Sequence, residues 1–391
     1  MITETISTKS PRIHSVDALR GFAVMAILLV HNLEHFIFPV YPTDSSAWLE
    51  TIDKYVFDTV FFLFAGKAYA RFALLFGFTY YIQYRNQQAR GGDFSGRFMW
   101  RLLLLAGFAC INAAFFPAGD VLLLFSVVGG ILVLMRRQSD RCVLAVAILL
   151  LMQPVEWIYL LSYLFVPGFH TPDLNVGQMY SDVAAVTRSG NFADFILCNI
   201  TLGQKASFLW AVNAGRLTQT AGLFLIGFLL GRRQLFVQSD NSLAFWKRLL
   251  LIAAIAFIPL YALHSHLSSS SEGAGATLST ISGMWRNLAF TFVLIAGFVI
   301  LFYRTSFSRH SGALQLYGKM SLTNYITQSI FGALIYFTFG LYLAPHCGYT
   351  ASLAIGLLVF AVQITFSRWW LARHRQGPLE SLWHKLTWLR K

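Results

Sequence analysis

Ser15-Val16-Asp17-Ala18-Leu19-Arg20-Gly21-Phe22-Ala23, continuing through Val24–Val30 into His31-Asn32-Leu33-Glu34-His35, decides how the chain is read. It is an apolar run of about the 20 residues needed to cross a bilayer, yet it carries Asp17, Arg20, His31, Glu34 and His35. Ionisable side chains are expensive to hold in hydrocarbon, so here they point to a polar cavity and a functional site.

The remaining sequence has the same apolar character. The 391 residues are 56% hydrophobic and only 12% charged, with a mean hydropathy of +0.58, against about 25% charged in a soluble domain. Apolar segments of spanning length fall at about 17–38, 67–86, 99–117, 120–135, 142–166, 207–231, 248–266, 284–303, 319–343 and 350–370. The expectation is an all-α membrane protein: one integral domain over 1–391, a bundle of about ten transmembrane helices in a lipid bilayer.

The net charge of +13 lies in short clusters between the spans. Lys9 and Arg12 precede the first span, and Asp44, Glu50 and Asp53 follow it. Arg85, Arg90, Arg97 and Arg101 follow the second, Asp120 the third, and Arg136, Arg137 and Arg141 the fourth; the alternation ends with a tail carrying Arg390 and Lys391. Every second loop is basic, which places both termini in the cytoplasm and leaves no single basic patch for nucleic acid. The N-terminus lacks the features of a cleaved signal peptide, so the first helix is expected to stay as an anchor. Cys110, Cys142, Cys198 and Cys347 form no CxxC pair and suggest no metal, though Cys198 and Cys347 could meet on the outer face.

Residues 167–205, with Gly168 and Gly190, read as the longest outer loop, with a short helix near Val176–Thr187 and enough length to form a lid. Ser268–Gly275 reads as a flexible outer connection. The run 55–66 is too short to settle whether it spans or lies in the interface; a helix continuing from it to 86 would put Lys67 and Arg71 near mid-membrane. Asp120 opens the fourth span, where a carboxylate caps the helix or serves the site. Lys67, Arg71 and Arg216 are candidate substrate-binding cations. Asn324 and Gln328, four apart, share a helix face suited to interhelical bonding or cavity lining, and Gly77 suits close helix approach. Gly377-Pro378-Leu379-Glu380 reads as a turn and helix start, making 371–391 an interfacial cytoplasmic tail helix.

On a helix, Arg20 and His31 project about 20° apart, Asp17 and His35 near +60° and Glu34 near −40° relative to Arg20, so five ionisable side chains share a stripe roughly 100° wide. His31 lies about 16–17 Å beyond Arg20 along the axis. A guanidinium at the cytoplasmic rim suits a phosphate of a cytosolic donor. A deeper histidine suits a general base, with Glu34 or His35 orienting it.

Arg20 followed by ten residues and His31 resembles the Arg-x10-His signature of the transmembrane acyltransferases. The whole chain resembles the DUF418 (YeiB-like) family through Val16–Ala23, Phe72–Phe78, Gly119–Leu123, Gly318–Tyr325 and Gln376–Trp383. YeiB-like proteins commonly carry Asn where this chain has His31. The resemblance implies a multi-pass protein of the bacterial inner membrane that takes an acyl group from acyl-CoA, held by Arg20 and Asp17. It would pass that group to a hydroxyl or amine on a glycan, lipid or small metabolite, with His31, Glu34 and His35 catalytic and no metal. The same stripe also fits a solute transporter or channel, or a non-catalytic scaffold, and homo-oligomerisation stays open.

Overall fold

A computed structural model describes residues 12–38, 40–42, 45–189, 191–269 and 272–389. Lys9, Asp44, Gly190, Ser270, Ser271, Arg390 and Lys391, which entered the loop reading, lie outside the described residues.

Helices make the fold, and among the described residues no strand forms. α1 (His14–Glu34) is the central post, buried along nearly its whole length. α2 (Ala47–Phe64) and α3 (Ala68–Gln88) form one apolar stretch broken at Ala65-Gly66-Lys67, where Gly66 takes φ +73°. α4 (Ser95–Phe115) turns through Phe116–Val121 into the short α5 (Leu122–Val128) and α6 (Gly130–Met135). α7 (Asp140–Leu151) and α8 (Pro154–Phe165) meet at 48°. The bend falls at Gln153, in the left-handed region at φ 62°, before a proline that has no N–H to continue the ladder.

α9 (Val176–Ser189), α10 (Phe192–Cys198) and α11 (Gln204–Asn213) follow, the last two joined by a π turn at Asn199–Gly203. α12 (Arg216–Arg232) packs along α3, while α13 (Asp240–Leu267) and α14 (Gly273–Arg304) form a long hairpin. The chain ends with α15 (Phe307–His310), α16 (Gly312–Lys319), α17 (Ser321–Tyr336), α18 (Tyr349–Leu371) and α19 (Pro378–Trp388).

Among the described residues, seven stretches are long and apolar enough to cross a membrane, or eight when bent α7–α8 counts as one. Each of the ten sequence segments has its helices, but α5–α6, α12 (17 residues) and α17 (16 residues) are shorter than a free-standing span. The stretch Phe192–Asn213, assigned by sequence mostly to the outer loop, is long and apolar enough to cross. Both its ends nevertheless lie at the His35 end of α1. Phe195 packs on Phe337 at 5.1 Å, Phe337 on Phe36 at 6.4 Å, and Asn213 lines the cavity that contains His35.

Two pairs of glycines set the central crossings. A Cβ on Gly77 would stand 1.9 Å from the Phe224 carbonyl oxygen, and one on Gly227 1.8 Å from that of Leu74, so α3 and α12 touch backbone to backbone. Gly21 and Gly318 do the same for α1 and α16, at 2.0 Å from Leu314 O and 1.9 Å from Asp17 O. Such contacts hold helices together where lipid offers no hydrophobic drive. The outer shell is apolar and exposed: Leu251, Ile252, Ile255 and Ile258 of α13 all face outward.

Candidate functional site

Two cavities lie one above the other along α1. The larger, about 630 Å³, contains His31, Glu34, His35, Asp120 and Arg216. Four of the elements that bound it, α1, the α2–α3 break, the α4–α5 turn and the start of α12, are distant in sequence. α9 adds Val176, Gly177 and Tyr180, and the Tyr180 hydroxyl donates to Ala118 O at 3.0 Å. The helix expected near 176–187 thus forms one wall of the cavity.

His31 is 8% exposed, its ring 4.3 Å from that of Phe116 and 5.7 Å from that of His35, and its Nδ1 has no hydrogen-bond partner. Glu34 approaches His35 rather than His31, with Oε2 3.8 Å from Nε2. Asp120 accepts from Asn112 Nδ2 at 2.8 Å and from the Leu123 amide at 3.0 Å, and Asn112 Oδ1 accepts from the Ser329 hydroxyl at 2.7 Å. The carboxylate therefore caps α5 and lines the cavity at once. Arg216 begins α12 just after Gly215, and its guanidinium lies over Trp210 at 4.2 Å and Tyr69 at 4.5 Å. Its Nε is buried and unpartnered.

The second cavity, about 320 Å³, holds Arg20 with Arg12, Arg101, Lys319 and Arg375. Asp17 does not line it. It receives Arg12 at 2.5 Å and Arg20 at 3.1 Å and so orients both guanidinium groups, while Arg20 also donates to Thr79 Oγ1 at 3.1 Å. Helix α19 closes this cavity with Glu380, Trp383 and His384. Glu380 sits in the first turn of its own helix but caps another: it accepts from the Leu322 and Thr323 amides at 2.7 and 3.0 Å and from the Thr323 hydroxyl at 2.6 Å. Burial lifts this carboxyl above the ordinary range, against the opposing pull of the Thr323 and Leu322 bonds. Glu380→Ala removes a helix cap and three acceptor bonds, so it is expected to cost about 2 kcal/mol and to free α19. Faster amide exchange over 378–388 is the readout; unchanged protection would refute the capping role.

The cavities meet at two rings. Phe72 lines the basic cavity and Tyr325 the histidine cavity, and they stack with centroids 6.5 Å apart at 8°.

Of the other sequence candidates, Lys67, Arg71, Asn324 and Gln328 line neither cavity. Asn324 bonds between helices, donating to Ser367 Oγ at 3.2 Å and Tyr317 O at 3.0 Å; Gln328 is buried without a partner. Cys198 and Cys347 are free thiols. Sequence reasoning passed over Tyr69, Trp210 and Tyr325 in one cavity and assigned no site role to Arg101, Lys319 or Arg375 in the other. Their common signal is three-dimensional, because each comes from a different helix or turn.

The fold defines a polytopic membrane protein with two stacked cavities between its helices. Residues 230–390 match the family model described as "Protein of unknown function (DUF418)". The chain is 27% identical to the uncharacterized protein YxaH of Bacillus subtilis (strain 168), over 97% of this chain and 94% of that one. It is 28% identical to the uncharacterized protein YeiB of Escherichia coli (strain K12), over 95% of each chain. An uncharacterized 39.9 kDa protein in the amylase 3′ region of Bacillus acidopullulyticus is 25% identical over 97% of this chain and 95% of its own. The family match thus covers residues 230–390, and the similarity to these relatives extends over nearly the whole chain.

Proposed function

We propose that this protein is an acyltransferase of the bacterial inner membrane. The supporting observation is the pair of cavities on one helix: five cations against one carboxylate at the Arg20 end, and an unpartnered histidine at the other. Acyl-CoA docks with its phosphates on Arg20, Arg12, Arg101, Lys319 and Arg375, which form charge-assisted bonds. Its thioester reaches past Phe72 and Tyr325, about 16–17 Å along α1, to His31. His31 takes the proton from an acceptor hydroxyl or amine as the acceptor oxygen or nitrogen bonds to the thioester carbonyl carbon. The carbon–sulfur bond then breaks, and the thiolate of CoA leaves with that proton. Arg216 holds an anionic group of the acceptor, which is a glycan, a lipid or a small metabolite. His35 and Glu34 set the charge at the cavity mouth.

The membrane topology that goes with this reading has ten crossings, α5–α6, α12 and α17 being short interior ones, and both termini in the cytoplasm. The shared end of Phe192–Asn213 supports it, since that stretch then re-enters the bilayer without crossing.

Binding to purified protein tests the donor assignment. Saturating CoA at 100 times its Kd is expected to stabilise the wild type by about 2.7 kcal/mol. Arg20→Ala is expected to weaken CoA about 10- to 100-fold, the worth of one charge-assisted bond. CoA that leaves the melting curve unmoved, while a small metabolite raises it, would favour the second reading, a solute transporter whose path is the same pair of cavities stopped at Phe72–Tyr325. Variants of His31 and Glu34 that only misfold would favour a scaffold.

A further inference from the structure

Lys67 and Arg71, absent from both cavities, sit on the opposite side of the α2–α3 break among groups of their own sign. Lys67 is 5% exposed and donates only to Phe61 O, at 3.4 Å, with its ammonium 5.8 Å from the rings of both Phe62 and Phe290. The charged groups acting on it are Arg286 and Arg71, both cations. Arg71 is fully buried; Nε donates to Lys67 O at 3.2 Å, and both terminal nitrogens have no partner. Arg286 of α14 reaches only the neighbouring Asn287 Oδ1, at 3.3 Å. His264 of α13, bonded to Ser282 Oγ at 3.1 Å, feels Arg286 and Lys67 and no carboxylate. Among the described residues no acidic side chain forms an ion pair with Lys67, Arg71 or Arg286.

Three cations without a counter-ion in an apolar bundle are unfavourable unless an anion joins them. The surface beside Lys67 is apolar. Phe62 and Tyr261 beside it are 43% and 44% exposed, and α13 presents Ile255, Ile258 and Leu263 outward on the same side. A free anion would have to cross hydrocarbon to arrive, whereas a lipid carries its phosphate in on a chain that matches the exposed aromatic and aliphatic rim.

We propose that the notch at the α2–α3 break binds the phosphate of an anionic membrane lipid, held by Lys67 and Arg286 with Arg71 supplying field from behind and the acyl chains lying along α13. This site is independent of acyl transfer and stands whether or not that reading does. The full chain in nanodiscs of phosphatidylcholine alone, or with one-fifth phosphatidylglycerol, is released into the gas phase and its retained lipids are counted by native mass spectrometry. The wild type is expected to retain phosphatidylglycerol at least tenfold over its share, and Lys67→Gln with Arg286→Gln to abolish that enrichment, while Lys67→Arg keeps it. Equal retention of the two lipids by the wild type overturns the proposal without reference to any variant. Inorganic phosphate in phosphatidylcholine discs is expected to leave the melting temperature unchanged; stabilisation matching that from phosphatidylglycerol would assign the site to free phosphate and overturn the lipid assignment. Loss of enrichment in Lys67→Arg as well as in the glutamine variant would show that charge is not what binds.

Discussion

Gly77→Ala is expected to destabilise the protein by about 3 kcal/mol or more, among the largest effects of a single methyl group. The reason is the partner: the new Cβ meets the carbonyl oxygen of Phe224 at 1.9 Å and its carbon at 2.7 Å, and backbone cannot rotate aside as a side chain would. α3 and α12 must separate, which pulls apart the stack of Phe76 on Phe224 at 4.7 Å and the contact of Tyr80 with Phe228 at 5.9 Å. α3 also carries Tyr69, Phe72 and Thr79, so both cavities lose a wall. Gly107 supplies the control. It lies mid-helix in α4 with open space around its Cα, so Gly107→Ala is expected to be neutral or slightly stabilising through helix propensity. Thermal unfolding followed by size exclusion separates the two, and a Gly77→Ala protein that melts with the wild type would refute the backbone contact.

His31→Ala is expected to lower acyl transfer by about 10²- to 10⁴-fold, the usual worth of a positioned base. CoA affinity is expected to stay near the wild-type value, because Arg20 and its neighbours lie beyond the Phe72–Tyr325 pair. The split between turnover and donor binding distinguishes a base from a packing residue. His31 Nδ1 makes no hydrogen bond, so its removal orphans no partner, and the fold is expected to survive. Single-turnover transfer from a labelled acyl donor is the measurement; full turnover in His31→Ala would end the assignment of His31 as base.

The α1 stripe was readable from the sequence because helical periodicity and membrane thickness are both local rules. What separates its two ends was not. Phe72 and Tyr325 come from α3 and α17, and nothing in their spacing shows that they stack between Arg20 and His31. The segments 207–231 and 319–343 read as full spans, but the helices there are shorter, Arg216–Arg232 and Ser321–Tyr336. α12 and α17 face protein on most sides, so they can be short and carry Gln219, Asn324 and Gln328. Phe192–Asn213 is long and apolar enough to cross, yet it also brings Trp210 and Asn213 to the cavity and Phe195 to Phe337, contacts that a hydropathy window does not register. Glu380 reads as the first-turn acid of its own helix, and only tertiary structure delivers it to the amides of α17. Lys67 and Arg71 read as costly only if one helix ran from 55 to 86; the helix breaks at Ala65–Lys67, and the two cations line neither cavity.

The stacked rings of Phe72 and Tyr325 also bear on how a cell keeps its ion gradients. A guanidinium-lined hollow above an imidazole-lined hollow, joined end to end, would make a water column through which protons and ions run down. Here the column is interrupted by two parallel rings 6.5 Å apart, flanked by Phe125 at 5.9 Å from Phe72. In the described structure the two hollows towards the ends of one helix are parted at this ring pair, so any passage between them requires the rings to move aside.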